Sequence, residues 1–164
     1  SSTLPNTPHS MDSVATLQSQ ARKKLQIADH MVVMTYPLVK EPKLLAAAME
    51  NVYDAIMLAV TSVLVKERQQ KTIPHYAENY DSKMHVFKSK IVPRYNVPAQ
   101  NLQFLTELRE LIILHRKSPV EFSRKDSFVM CSDDYITRTL DAKKMKGFVE
   151  RAKGFLPEME RLTK

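Results

Sequence analysis

Apolar residues recur along this chain at steps of three and four, the period of a helix buried on one side. Val14, Leu17, Ala21, Leu25, Ala28, Val32 and Tyr36 form the first such stripe. Pro37 marks its end, because proline lacks the N–H a helix interior needs and disfavours helix in the residue before it. A second helix is predicted over 42–69, opened by Pro42 at a position where proline is tolerated. Its stretch 44–65 is apolar nearly all round, which predicts the central and most buried helix, about 40 Å long at 1.5 Å per residue. After a polar break at 69–74, a third helix is predicted over 79–91, stopped by Pro93, and a fourth over 98–117, stopped by Ser118 and Pro119.

The pattern then changes. Residues 120–132 have no helical period, and their partial alternation, with Val120, Phe122, Phe128 and Met130 apolar, predicts an extended arm or small hairpin. Asp133 or Asp134 is placed to cap a short helical turn. The last helix, over 141–162, carries the most regular stripe: Met145, Phe148, Ala152, Phe155, Met159 and Leu162. Pro157 lies inside it, where a kink or local break is expected. The fold class predicted is all-α, an up-down bundle of about five helices with a long buried second helix and one edge helix wrapping the outside. Residues 1–11 read as a disordered lead-in rich in Ser, Thr, Asn and Pro, and 12–164 as a single helical domain.

Composition narrows the chemistry. With 43% hydrophobic and 26% charged residues among 164, the chain can bury one continuous core. Two glycines, Gly147 and Gly154, leave no phosphate-cradling loop and disfavour a glycine-turned β-barrel. One cysteine, Cys131, excludes an intramolecular disulfide framework and reads as a small buried hydrophobe. The five histidines are scattered over separate segments, no Glu is followed by a His three residues on, and no metal site or cofactor is expected. Glu50, Asn51 and Asp54 in the middle of the second helix argue against a membrane span, since each charge in hydrocarbon costs several kcal/mol. The opening residues lack a signal-peptide core, so a reducing, cytoplasmic setting is expected. A net charge of +7 suits an anionic partner such as RNA without requiring one.

One segment combines residue types that suit phosphate chemistry. The fourth helix ends with Arg109, Glu110 and, after four apolar residues, His115, followed by Arg116 and Lys117. Guanidinium forks match phosphate oxygens, and imidazole titrates near neutral pH. This arrangement resembles the Arg, four to six residues, His motif of the HEPN domains, as does a short bundle with a long apolar second helix. The resemblance implies RNA binding or metal-independent ribonuclease activity, often in homodimers that bring two motifs together. It assigns Arg109 to the phosphate and His115 to general acid or base chemistry at a ribose 2′-hydroxyl. Glu110, Arg116, Lys117, Arg124 and Lys125 would hold substrate, with Phe122 and Phe128 interleaved among the basic residues to stack bases.

Helical geometry qualifies that reading. Six steps of 100° set Arg109 and His115 about 120° apart, whereas Arg116 lies almost in line with Arg109. His115 instead continues the stripe of Phe104, Leu108 and Leu111, as a core or interface histidine would. Glu50 and Asp54, four apart, share one face of the second helix and are expected to be solvated or neutralised by Arg109 across the bundle. The alternative to RNA chemistry is therefore a non-catalytic module for protein or nucleotide binding, or a dimeric scaffold joined through the last helix.

Overall fold

The computed structural model describes residues 11–164; the predicted lead-in lies outside the described residues apart from its last position. Helix α1 runs Met11–His30, continues through a widened π-turn at Met31–Thr35 and ends in the turn Tyr36–Val39. Helix α2 spans Lys43–Gln69. Helix α3 repeats the plan of α1, with Tyr80–Val86, a π-turn at Phe87–Ile91 and a last turn Val92–Tyr95. Helix α4 is Ala99–Lys117. Strands β1 (Val120–Arg124), β2 (Ser127–Cys131) and β3 (Thr137–Asp141) follow, and α5 (Ala142–Arg161) closes the fold.

The architecture is mostly helical, as the periodicity predicts, but it is not purely all-α. The three strands form an antiparallel sheet in the order β1-β2-β3. The hairpin expected over 120–132 is there. The capped helical turn expected at Asp133 or Asp134 is replaced by a non-helical connection into β3, in which β-branched Thr137 and Thr139 alternate with inward Leu140. The alternation also divides differently. Because Val120 pairs with Cys131 and Phe122 with Val129, Phe128 and Met130 belong to the opposite face from Val120 and Phe122. Phe128, Met130 and Leu140 are buried on the bundle, whereas Val120 and Phe122 are exposed.

Prolines 37 and 93 do not stop their helices where expected. An α-turn at either site would lose a bond and press the ring against the carbonyl four residues back. The chain widens that turn instead: Tyr36 N–H donates to the Met31 carbonyl and Val92 N–H to that of Phe87, five residues back in each case. Each helix gains one further turn and stops at a left-handed residue, Lys40 (φ 53°) or Asn96 (φ 54°). Pro157 likewise lies within an unbroken α5.

Helix α2 is the centre. Fifteen of its 27 residues are buried, and they cover most of its circumference. Alanines 46, 48, 55 and 59 keep its surface low, and α1 packs along it most extensively, with α5 and α4 beside it. Among the described residues α2 is the one helix long and apolar enough to cross a membrane, and 67% of that stretch is buried by its own neighbours. The stripe of α5, from Met145 through Phe148, Ala152 and Phe155 to Met159, is buried in the same core. It is therefore not the free dimer surface expected of it.

At the far end of α2, Glu67 is 1% exposed. Its carboxylate accepts from Arg94, from the Tyr95 hydroxyl at 2.7 Å and from Thr72 Oγ1 at 2.7 Å. Arg94 also donates to the Thr72 carbonyl at 3.2 Å, so one buried charge ties the end of α3 to the loop after α2. Accepting that bond holds the Tyr95 proton and raises its pKa, with burial adding to the effect. Removing the cation leaves a buried carboxylate short of partners. Arg94→Ala should therefore lower unfolding stability in urea by roughly 3 kcal/mol, and adding Glu67→Gln should recover part of the loss.

Candidate basic site at the end of the fourth helix

Arg109 leaves α4 toward α2 and α3. Its guanidinium donates to the Tyr53 hydroxyl at 2.7 Å and lies over the Tyr80 ring, 4.0 Å from the centroid. Asn79 holds Tyr80 in position by capping α3, its side-chain oxygen accepting from Ser82 N–H at 2.8 Å. Arg116 follows two turns later on the same side. Its guanidinium sits 5.4 Å from the Tyr53 ring and 3.4 Å from the Glu50 carboxylate. Tyr53, buried between two cations, has its pKa raised by desolvation, while the charge and hydrogen bond of Arg109, then the charge of Arg116, act to lower it. Desolvation also raises the pKa of Tyr80.

His115 goes elsewhere. Its Nδ1 lies 2.7 Å from the Glu121 carboxylate of β1, and its ring meets the edge of Phe128 at 6.0 Å between centroids. A carboxylate only accepts, so Nδ1 carries the shared proton and Nε2 is the nitrogen left for other chemistry. His115 and Glu121 are each 24% exposed, so the pair is reached from solvent. It neither joins Arg109 nor vanishes into the stripe of Phe104, Leu108 and Leu111, all of which are buried.

The remaining predicted residues fall into two groups. Glu110, Lys117, Arg124 and Lys125 are exposed, and none has a salt-bridge partner among the described residues. The hairpin turn carrying Arg124 and Lys125 is held to the α1–α2 junction, where Tyr36 donates its hydroxyl to the Asp126 carbonyl at 3.1 Å. Of the two interleaved phenylalanines, only Phe122 faces solvent (44%); Phe128 is core. Glu50 pairs with Arg116, and Asp54 pairs with Lys24 at 3.6 Å, so α2's acidic pair is divided between α4 and α1 without engaging Arg109. Cys131 is half-buried in β2. Among the described residues no three His, Cys, Asp or Glu side chains gather as a metal site.

Sequence reasoning missed Tyr53 and Glu121. Tyr53 lies between Glu50 and Asp54 on the helix already singled out, but nothing local tells that it faces α4. Glu121 was legible only through the hairpin register, which turns it inward beside Met130. No protein-family model, curated protein or solved structure matches this chain.

The two-sided environment of Tyr53 gives a measurable sign. Arg109→Ala removes the largest influence lowering its pKa, so tyrosinate absorbance during an alkaline titration should show Tyr53 ionising at higher pH than in the wild type. Assignment comes from the Tyr53→Phe difference, and an unchanged or lower value would mean that the two groups are not coupled.

Proposed function

We propose that this chain is a HEPN-like helical module that binds single-stranded RNA through the basic surface leading from Arg109 and Arg116 to Lys117, Arg124 and Lys125. The observation that carries the reading is Arg109. Two tyrosines fix its guanidinium and no carboxylate among the described residues neutralises it, which leaves further N–H donors for a phosphate. The basic surface has length as well. Arg116 meets α2 at Glu50, while the hairpin reaches Glu41, nine residues earlier and just before α2 begins. Phe122, exposed on the sheet beside Arg124, supplies a ring on which a base can stack. The separate partners of Arg109 and His115 favour binding over cleavage by that pair within one chain.

One observation supports a second reading, metal-independent ribonuclease activity. Glu121 orients His115 as a carboxylate orients a general base, with Nε2 as the acceptor. The two readings part in a single assay with labelled single-stranded RNA in EDTA. The binding module shifts fluorescence anisotropy and leaves the RNA intact; the nuclease shortens it, and His115→Ala abolishes the cutting.

For binding, affinity should fall with salt at a slope of about −0.7 per phosphate contact. Arg116→Ala, Lys117→Ala, Arg124→Ala and Lys125→Ala should each flatten that slope by roughly 0.7 if the residue meets a phosphate. Wild-type protein that leaves the anisotropy unchanged at low salt would rule the proposal out.

A further inference from the structure

Half of the large apolar side chains left exposed among the described residues belong to the second half of α1: Ile27 (46%), Val33 (49%), Met34 (56%), Leu38 (85%) and Val39 (61%). The inner stripe of α1, from Val14 through Ala21, Leu25 and Ala28 to Val32, is buried. Leu17, first placed in that stripe, instead begins an outer row with Ile27, Met31 and Met34. This row overlooks a groove of about 970 Å³ between α1 and α2, floored by Met57 and Leu58, which a second hollow of about 930 Å³ extends past Met31 and Met34 to Leu44. A contiguous apolar surface of this length on a charged domain marks a site of association.

We infer that this groove seats a second copy of the chain, with α1 of each copy lying against α2 of the other about a two-fold axis that runs along the groove. Charge complementarity identifies the occupant. The α1 wall of the groove carries Lys23 and Lys24, and the opposite wall carries Asp54 and Glu78, with Lys83 tied to Glu78 at 3.0 Å. A two-fold axis sets each wall against the other protomer's opposite wall, so lysines meet carboxylates twice while the apolar rows close between them. Within one chain only Lys24 reaches across the groove, to Asp54; Lys23 has no carboxylate partner among the described residues. Asp54 and Glu78, with side chains 42% and 66% exposed, have room to receive it. The apolar stripe of α5 is already buried and offers no competing helical face.

Sedimentation equilibrium of the full chain tests this. The wild type should sediment at twice its chain mass, and Ile27→Glu with Met34→Glu should weaken the dimer by at least about 100-fold while leaving the helical circular dichroism unchanged. Phe122→Glu, on the sheet's outer face, should leave the dimer intact. A charge exchange keeps the inference testable should the apolar variant fail to fold. Lys23→Glu/Lys24→Glu and Asp54→Lys/Glu78→Lys should each be monomeric alone and form a dimer when mixed. A monomeric wild type, a dimer unaffected by the groove variants, or a mixture that stays monomeric would each overturn it, the first also making a different protein the occupant to seek.

Discussion

Helix α2 has almost no side that can face water, and this constraint arranges the rest of the molecule. From Leu45 to Val65 its buried residues follow one another round the helix, so a partner on one flank alone would leave most of that surface hydrated. Each fully buried Leu, Ile or Val contributes about 1.5–3 kcal/mol, and the alanines between them let neighbouring helices approach closely. Helix α1 covers one flank, α5 another, α4 and the inner face of the sheet a third. The polar positions on α2 show where this cover is thinnest. Glu50, Asp54 and Thr61 mark the strip on which α1, α3 and α4 do not meet, and both candidate surfaces border it.

Polar links along that strip set the geometry of the basic site. Tyr53 is held by burial, so its hydroxyl fixes Arg109 and its ring carries Arg116. Tyr80 reaches the same guanidinium from a helix whose far end is anchored through Glu67. The position of one cation on α4 thus depends on two helices joined by a loop and a buried carboxylate. His115 is oriented independently, by a strand that begins three residues after α4 ends. Residues six apart in sequence answer to different parts of the fold.

Much of the fold was legible because burial and helical period go together. The stripes of α1, α2 and α5 were readable, as was the change to extended chain at Val120. Proline was the main source of error. Pro37 and Pro93 forbid an α-turn but not a wider one, and no local rule tells when packing makes the wider turn worthwhile. Here Tyr36 is buried just past the first bend, and Arg94 and Tyr95 past the second reach the buried Glu67, which gives each helix a reason to continue. Strand β3 was missed because Thr137 and Thr139 make a strand only when β2 supplies the ladder. In the site, the alignment of Arg109 with Arg116 followed from helical steps alone, and so did their divergence from His115. Their partners Tyr53, Tyr80 and Glu121 did not, because each contact depends on how separate elements pack.

The paired π-turns have a consequence for how this chain tolerates change in length. A surface loop absorbs an inserted or deleted residue by adjusting its own path. Each π-turn holds one residue more than the regular helix would, and loss of that residue would close it to an α-turn that presses the ring of Pro37 or Pro93 against the carbonyl four residues back. In α1 such a loss would strain the turn that carries Tyr36 to Asp126. In α3 it would strain the turn that carries Arg94 and Tyr95 to Glu67. Two stretches that look in sequence like ordinary continuous helix are thus places where residue number is held as strictly as residue type.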